Sequence, residues 1–137
     1  MLAPALIVAS SAIVLLLGSL HLICTFATDK LQPRDPALAE HMRQVSLMIT
    51  RKTSLWRAWV GFNASHSLGA MLFGLVYGYL AWLHPALLLE ARGLLLIGLG
   101  FLASLWLLAI RYWFRIPLVG ISIALVLFAL ACGLPLA

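Results

Sequence analysis

The chain has 137 residues, of which 64% are hydrophobic and 9% charged, with a formal net charge of +5 and a mean hydropathy of +1.10. A soluble domain carries about a quarter charged residues, so there is too little polar surface here for a water-facing globule. Disorder is excluded too, because it needs low hydrophobicity and high charge.

A membrane-crossing helix needs about 20 apolar residues to cover a hydrocarbon core of roughly 30 Å. Four stretches qualify, at about 2–26, 59–83, 87–110 and 116–136. They are predominantly apolar runs, with Gly, Ser and Ala and only a few other polar residues among them. A barrel strand would instead alternate apolar and polar residues. The expected fold is all-α: a single domain forming an integral membrane four-helix bundle.

The first stretch opens Met1-Leu2-Ala3-Pro4-Ala5, with no basic residue. A secretory signal opens with positive charge. A lipoprotein site would want a small residue before Cys24, and Ile23 stands there. The first span is expected to be retained.

Residues 28–58 are the one long polar segment. Asp35-Pro36 is a helix-start signal, since Asp can accept from free backbone N–H groups and Pro is tolerated at the first position. Leu38, Met42, Val45 and Ile49 then recur at spacings of four, three and four. That periodicity predicts an amphipathic helix along the inner leaflet or beneath the bundle. Its plain role is a connector resting on lipid; the other is a lid or partner-docking helix. Trp56, Trp59 and Trp82 sit where interfacial anchors of the second span would be.

Eight of the nine Lys and Arg residues lie in the first and third connections, and Arg92 alone lies on the side of the second, near the start of the third stretch. Excess basic residues mark the cytoplasmic side. Both termini are therefore expected outside, in a multi-pass inner-membrane protein. The same charges would attract anionic lipid headgroups. Nucleic acid is not expected as a partner, because the basic residues adjoin helix ends. The lipid bilayer is the first partner, and a second copy or a membrane-complex subunit is the protein partner such a bundle would take.

Histidines carry the chemistry. His41 and His84 lie in connections, while His21 and His66 lie within spans. His21 stands roughly 12 Å, and His66 roughly 10 Å, from the cytoplasmic boundary at helical rise. On antiparallel spans these depths match. Ser104 and Ser122 each stand seven residues from Arg111 and Arg115, at a similar level. Cys24 and Thr25 share the face of His21, and Asn63 and Ser67 belong with His66. An unpaired polar group in hydrocarbon costs several kcal/mol, so these side chains are expected to face inward.

Four readings of the histidine pair stand side by side. One is a structural hydrogen-bonded layer. The second is a small-molecule pocket. A third is haem held by His21 and His66, as a helical bundle can do. The fourth is a copper or zinc site using His21, Cys24 and His66, although zinc usually takes three or four good ligands. Gly61, Ser65 and Gly69 recur every fourth residue, as do Ala70, Gly74 and Gly78, and such stripes let helices approach closely.

No HExxH, Walker A or GxSxG pattern occurs. No span carries Asp, Glu, Lys or Arg at its middle, where a proton-driven transporter usually has one. Neither cysteine belongs to a CxxC pair. A binding, structural or accessory membrane unit is therefore favoured over a cofactor-bearing protein or a small membrane enzyme.

The length, the four spans and the Phe62-Asn63-x-Ser65-His66-x-x-Gly69 pattern resemble a group of small uncharacterised bacterial inner-membrane proteins. The resemblance implies a bacterial source and a compact four-helix unit. It implies no activity.

Overall fold

The computed structural model describes residues 1–134. In chain order the elements are α1 (Leu2–Ala27), α2 (Pro36–Gln44), β1 (Ser46–Leu47), β2 (Thr50–Ser54), α3 (Leu55–Leu83), α4 (Pro85–Glu90), α5 (Arg92–Tyr112) and α6 (Arg115–Gly133). The fold is all-α apart from one small hairpin. Helices α1, α3, α5 and α6 are long and apolar enough to cross a membrane. Their outer faces are apolar as well, with Leu16, Leu72, Ile97 and Val126 among many large exposed side chains. A soluble monomer rarely shows such continuous apolar surface.

Proline sets several boundaries. Pro85 is the first residue of α4, so His84 is forced out of helical geometry and α3 stops at Leu83. Pro4 and Pro117 fall in the first turns of α1 and α6. A missing N–H costs nothing there, because the first N–H groups of a helix have no internal acceptor. Trp113 and Phe114 are extended and separate α5 from α6.

The chain divides into two compact units. The larger comprises Met1–Leu17 and the chain from Ala70 onward. Its core is built on Ile7, Val14, Phe73, Tyr77, Leu88, Leu102 and Phe128. Phe73 stacks on Tyr77 at 4.5 Å and on Phe101 at 4.9 Å, while Tyr77 meets Phe128 edge-on at 5.4 Å. The Tyr77 hydroxyl donates to Leu94 O at 2.7 Å, so its polar end is satisfied within the apolar core. Ser10 Oγ donates to Ala124 O at 2.8 Å, tying α1 to α6.

Gly74 lets α1 and α3 approach closely. A Cβ there would lie 2.7 Å from Ser11 O and from Leu15 Cβ. The Ala70-Gly74-Gly78 stripe is therefore used for packing, as its spacing predicts. The Gly61-Ser65-Gly69 stripe is not used in that way, since a Cβ at Gly61 or Gly69 meets nothing within 4 Å.

The smaller unit is Gly18–Gly69. Helix α2 starts as the sequence indicates: Asp35 caps it, accepting from Ala37 N at 2.9 Å. It ends at Gln44, far short of the expected face, so Val45 and Ile49 are not on it. Residues 46–54 form an antiparallel hairpin instead, pairing Ser46 with Ser54 and Leu47 with Thr50. The reason lies in the residues. Val45, Ile49, Thr50 and Thr53 are β-branched, and Ser46 and Ser54 compete for backbone hydrogen bonds, so propensity turns against helix after Gln44.

Two more boundaries differ from expectation. The second long helix starts at Leu55 rather than 59, because the hairpin delivers the chain directly into it. The third starts at Arg92 rather than 87, because Pro85–Glu90 forms a separate short helix. The expected end of the fourth span, at 136, lies outside the described residues.

Candidate functional site: a histidine–asparagine clamp

Within the smaller unit, the end of α1 and the start of α3 bring His21, Asn63 and His66 together. His21 Nε2 lies 3.0 Å from Asn63 Oδ1. The Asn63 amide nitrogen donates to Trp59 O at 2.8 Å, one turn back on α3. That second bond orients the carboxamide so that its oxygen faces His21. A carboxamide oxygen only accepts, so His21 Nε2 is the donor. In neutral His21 the proton therefore sits on Nε2.

The His66 ring meets His21 edge to face, with centroids 5.4 Å apart and planes at 79°. Asn63 and His66 are three apart on α3, which places them on one face. Ser67 is fully buried and donates to Asn63 O at 2.9 Å. Thr25 donates to His21 O at 2.8 Å, and Thr28 to Cys24 O at 3.1 Å. These hydroxyls are satisfied by their own helices, one turn back.

Trp59 closes the lower end. Its indole N–H donates to Leu31 O at 3.1 Å, so the chain leaving α1 is fastened to α3. Sequence reading placed Trp59 as an interfacial anchor and missed this bond. The spacing of four between Trp59 and Asn63 marks only the bond from the Asn63 amide to Trp59 O. Beside the clamp, Thr25, Thr28, Gln32, Trp56 and Asn63 line a cavity of about 20 Å³. That is room for about one water, with polar partners to hold it.

His21, Asn63, His66, Thr25 and Ser67 thus lie in one unit. Ser104 and Ser122 belong to the larger one. Ser104 is exposed and donates to Gly100 O at 2.8 Å, so it does not point inward as expected. Its helix supplies the acceptor, which removes the cost of an outward-facing hydroxyl. Ser122 donates to Leu118 O at 2.7 Å and accepts from Trp106 Nε1 at 3.1 Å.

The geometry bears on the cofactor readings. Haem ligated by both imidazoles would need one ring nitrogen of each histidine aimed at the iron from opposite faces of the macrocycle. The rings are already in edge contact, and His21 Nε2 is committed to Asn63. Among the described residues, no three His, Cys, Asp or Glu side chains are placed to hold a metal ion. The set His21, Cys24 and His66 is therefore not assembled. Cys24 and Cys132 are both free thiols.

Comparison with known proteins finds no matching family model, no matching curated protein and no matching solved structure.

Proposed function

We propose that the chain is a multi-pass protein of a bacterial inner membrane, a four-helix bundle that serves as a binding or accessory unit. In this reading α1, α3, α5 and α6 cross the bilayer with both termini outside. The connection holding α2 and the hairpin faces the cytoplasm and its anionic lipid headgroups. The length and apolar surface of the four helices support the crossing. The eight-to-one division of basic residues supports the orientation.

One observation carries the functional part. Asn63 bridges His21 and Trp59 with both ends of its side-chain amide engaged. A polar group bonded at both its oxygen and its nitrogen holds helices in register. Both His21 Nε2 and the Asn63 carboxamide are engaged within the clamp. The clamp is thus a structural layer, and binding takes place at surfaces of the bundle.

Visible absorption and metal analysis of the purified protein test this reading. The expected result is no Soret band and no stoichiometric metal, with His66→Leu still folded. A Soret band or a bound metal that disappears on His21→Leu or His66→Leu overturns it in favour of a cofactor-bearing protein.

A further inference from the structure

The tip of the hairpin is unlike the rest of it. Apart from the half-buried Leu47, strands β1 and β2 carry Ser46, Thr50, Arg51, Lys52, Thr53 and Ser54, whereas the turn is Met48-Ile49. Met48 is 105% and Ile49 90% exposed, so both side chains stand clear of the protein. A two-residue hairpin turn ordinarily takes Gly, Asn or Asp, because positive φ suits the strand twist. Here no described residue has positive φ, and an irregularity between Ser46 and Leu47 accommodates the turn. Local backbone geometry therefore gives no reason for two large apolar residues at the tip.

Their surroundings name a partner. From Gln44 to Arg57 the chain holds Arg51, Lys52 and Arg57 and not one acidic residue, while Arg43, just before, pairs with Glu40 at 3.4 Å. All four cations are exposed. The base of the hairpin is fixed to the start of α3: Leu55 N donates to Val45 O at 2.8 Å. Arg43 lies over the Trp56 ring at 5.3 Å, which holds the end of α2 to the same turn. At about 3.3 Å per residue, the tip stands roughly 20 Å from Leu55. An apolar tip ringed by cations, tethered that close to a membrane-crossing helix, has both signals that interfacial binding requires.

We propose that the Met48-Ile49 tip inserts into the headgroup layer of an anionic leaflet, with Arg51 and Lys52 meeting lipid phosphates. The hairpin then anchors the start of α3 to the membrane surface, in place of the longer amphipathic helix that the periodicity suggested. An acidic protein surface would satisfy the cations but would need its own apolar socket for the tip. The leaflet offers both within reach. The proposal rests on the reading of the four long helices as membrane-crossing.

The test uses the full chain with Cys24→Ala and Cys132→Ala, a fluorophore on Met48→Cys, and one chain per nanodisc. Discs of phosphatidylcholine are compared with discs that also contain phosphatidylglycerol. Quenching by aqueous iodide is expected to fall several-fold relative to the free dye adduct, and more in the anionic discs. Quenching by a lipid spin-labelled at its headgroup is expected to rise in parallel. Adding Arg51→Gln and Lys52→Gln should remove the difference between the two lipid compositions. Iodide access equal to that of the free adduct in both compositions overturns the proposal while leaving the membrane reading intact. Protection that arises only in discs holding two chains assigns the tip to a second copy and also overturns it. A chain that does not enter discs at all overturns the membrane reading and the proposal together.

Discussion

His21 and Asn63 are 42 positions apart in sequence, yet His21 Nε2 lies 3.0 Å from Asn63 Oδ1. The contact joins the end of α1 to the start of α3 and is oriented from behind by the bond from Asn63 to Trp59 O. The same asparagine accepts from one residue and donates to another. Its removal should therefore cost both bonds at once.

Replacing Asn63 with Leu removes both bonds and leaves the His21 donor without its acceptor. Hydrogen bonds within membrane proteins average about 0.6 kcal/mol and reach about 1.7 kcal/mol. The expected loss is about 1–2 kcal/mol for Asn63→Leu. Thermal unfolding in detergent measures it. A double-mutant cycle of His21→Leu with Asn63→Leu should show coupling, and strictly additive losses would dismiss the clamp. Ser104→Ala serves as a control with little effect, because Ser104 is exposed and bonds its own helix.

The glycines give a prediction of opposite signs. A methyl group at Gly74 would stand 2.7 Å from a backbone oxygen, so α1 and α3 would have to separate. Overpacking of this kind costs typically 1–3 kcal/mol, about what is expected for Gly74→Ala. Gly61 has open space around it, and there Ala brings only its better helix propensity. Gly61→Ala should be neutral or stabilising by up to about 1 kcal/mol. Equal effects from both substitutions would contradict the close approach at Gly74.

At the start of α2, Asp35→Ala removes the acceptor for Ala37 N. Loss of such a cap costs about 1 kcal/mol. Helix α2 has nine residues and buries only Ala39, so the loss should be local. Amide hydrogen exchange should quicken several-fold in 37–44 and remain unchanged in α5 and α6. A drop in global stability with unchanged exchange in α2 would show that the cap acts elsewhere.

The long helices were legible because hydropathy reports burial in lipid directly, and that signal is carried by twenty or more residues at once. Helix starts were legible at Asp35-Pro36 because capping is local chemistry. The hairpin was not. Leu38, Met42, Val45 and Ile49 satisfy a helical period, but four positions cannot outweigh the strand preference of the β-branched residues among and after them. Periodicity also missed the break at Ala91, where α4 and α5 are both apolar and only backbone geometry separates them. In the clamp, matched depth brought His21 and His66 together and the spacing of three added Asn63. The same reasoning failed for Ser104, because depth says nothing about facing and a serine can satisfy itself on its own helix. The Trp59 bond to Leu31 joins residues 28 apart, and no local pattern marks it.

The orientation itself can be measured. Arg34, in the connection between α1 and α2, is exposed, and so is Glu90 at the end of α4. With Cys24 and Cys132 replaced by Ala, single cysteines at Arg34→Cys and Glu90→Cys report the two sides of the membrane. Eight of the nine basic residues lie in the connections that share a side with Arg34. Basic residues resist translocation, so the proposed topology keeps that side in the cytoplasm. A membrane-impermeant maleimide added to intact cells should label Glu90→Cys and leave Arg34→Cys unlabelled until the cells are opened. Reversed labelling would place the hairpin outside, against leaflets of different lipid composition. In that case the basic residues would owe their positions to something other than orientation.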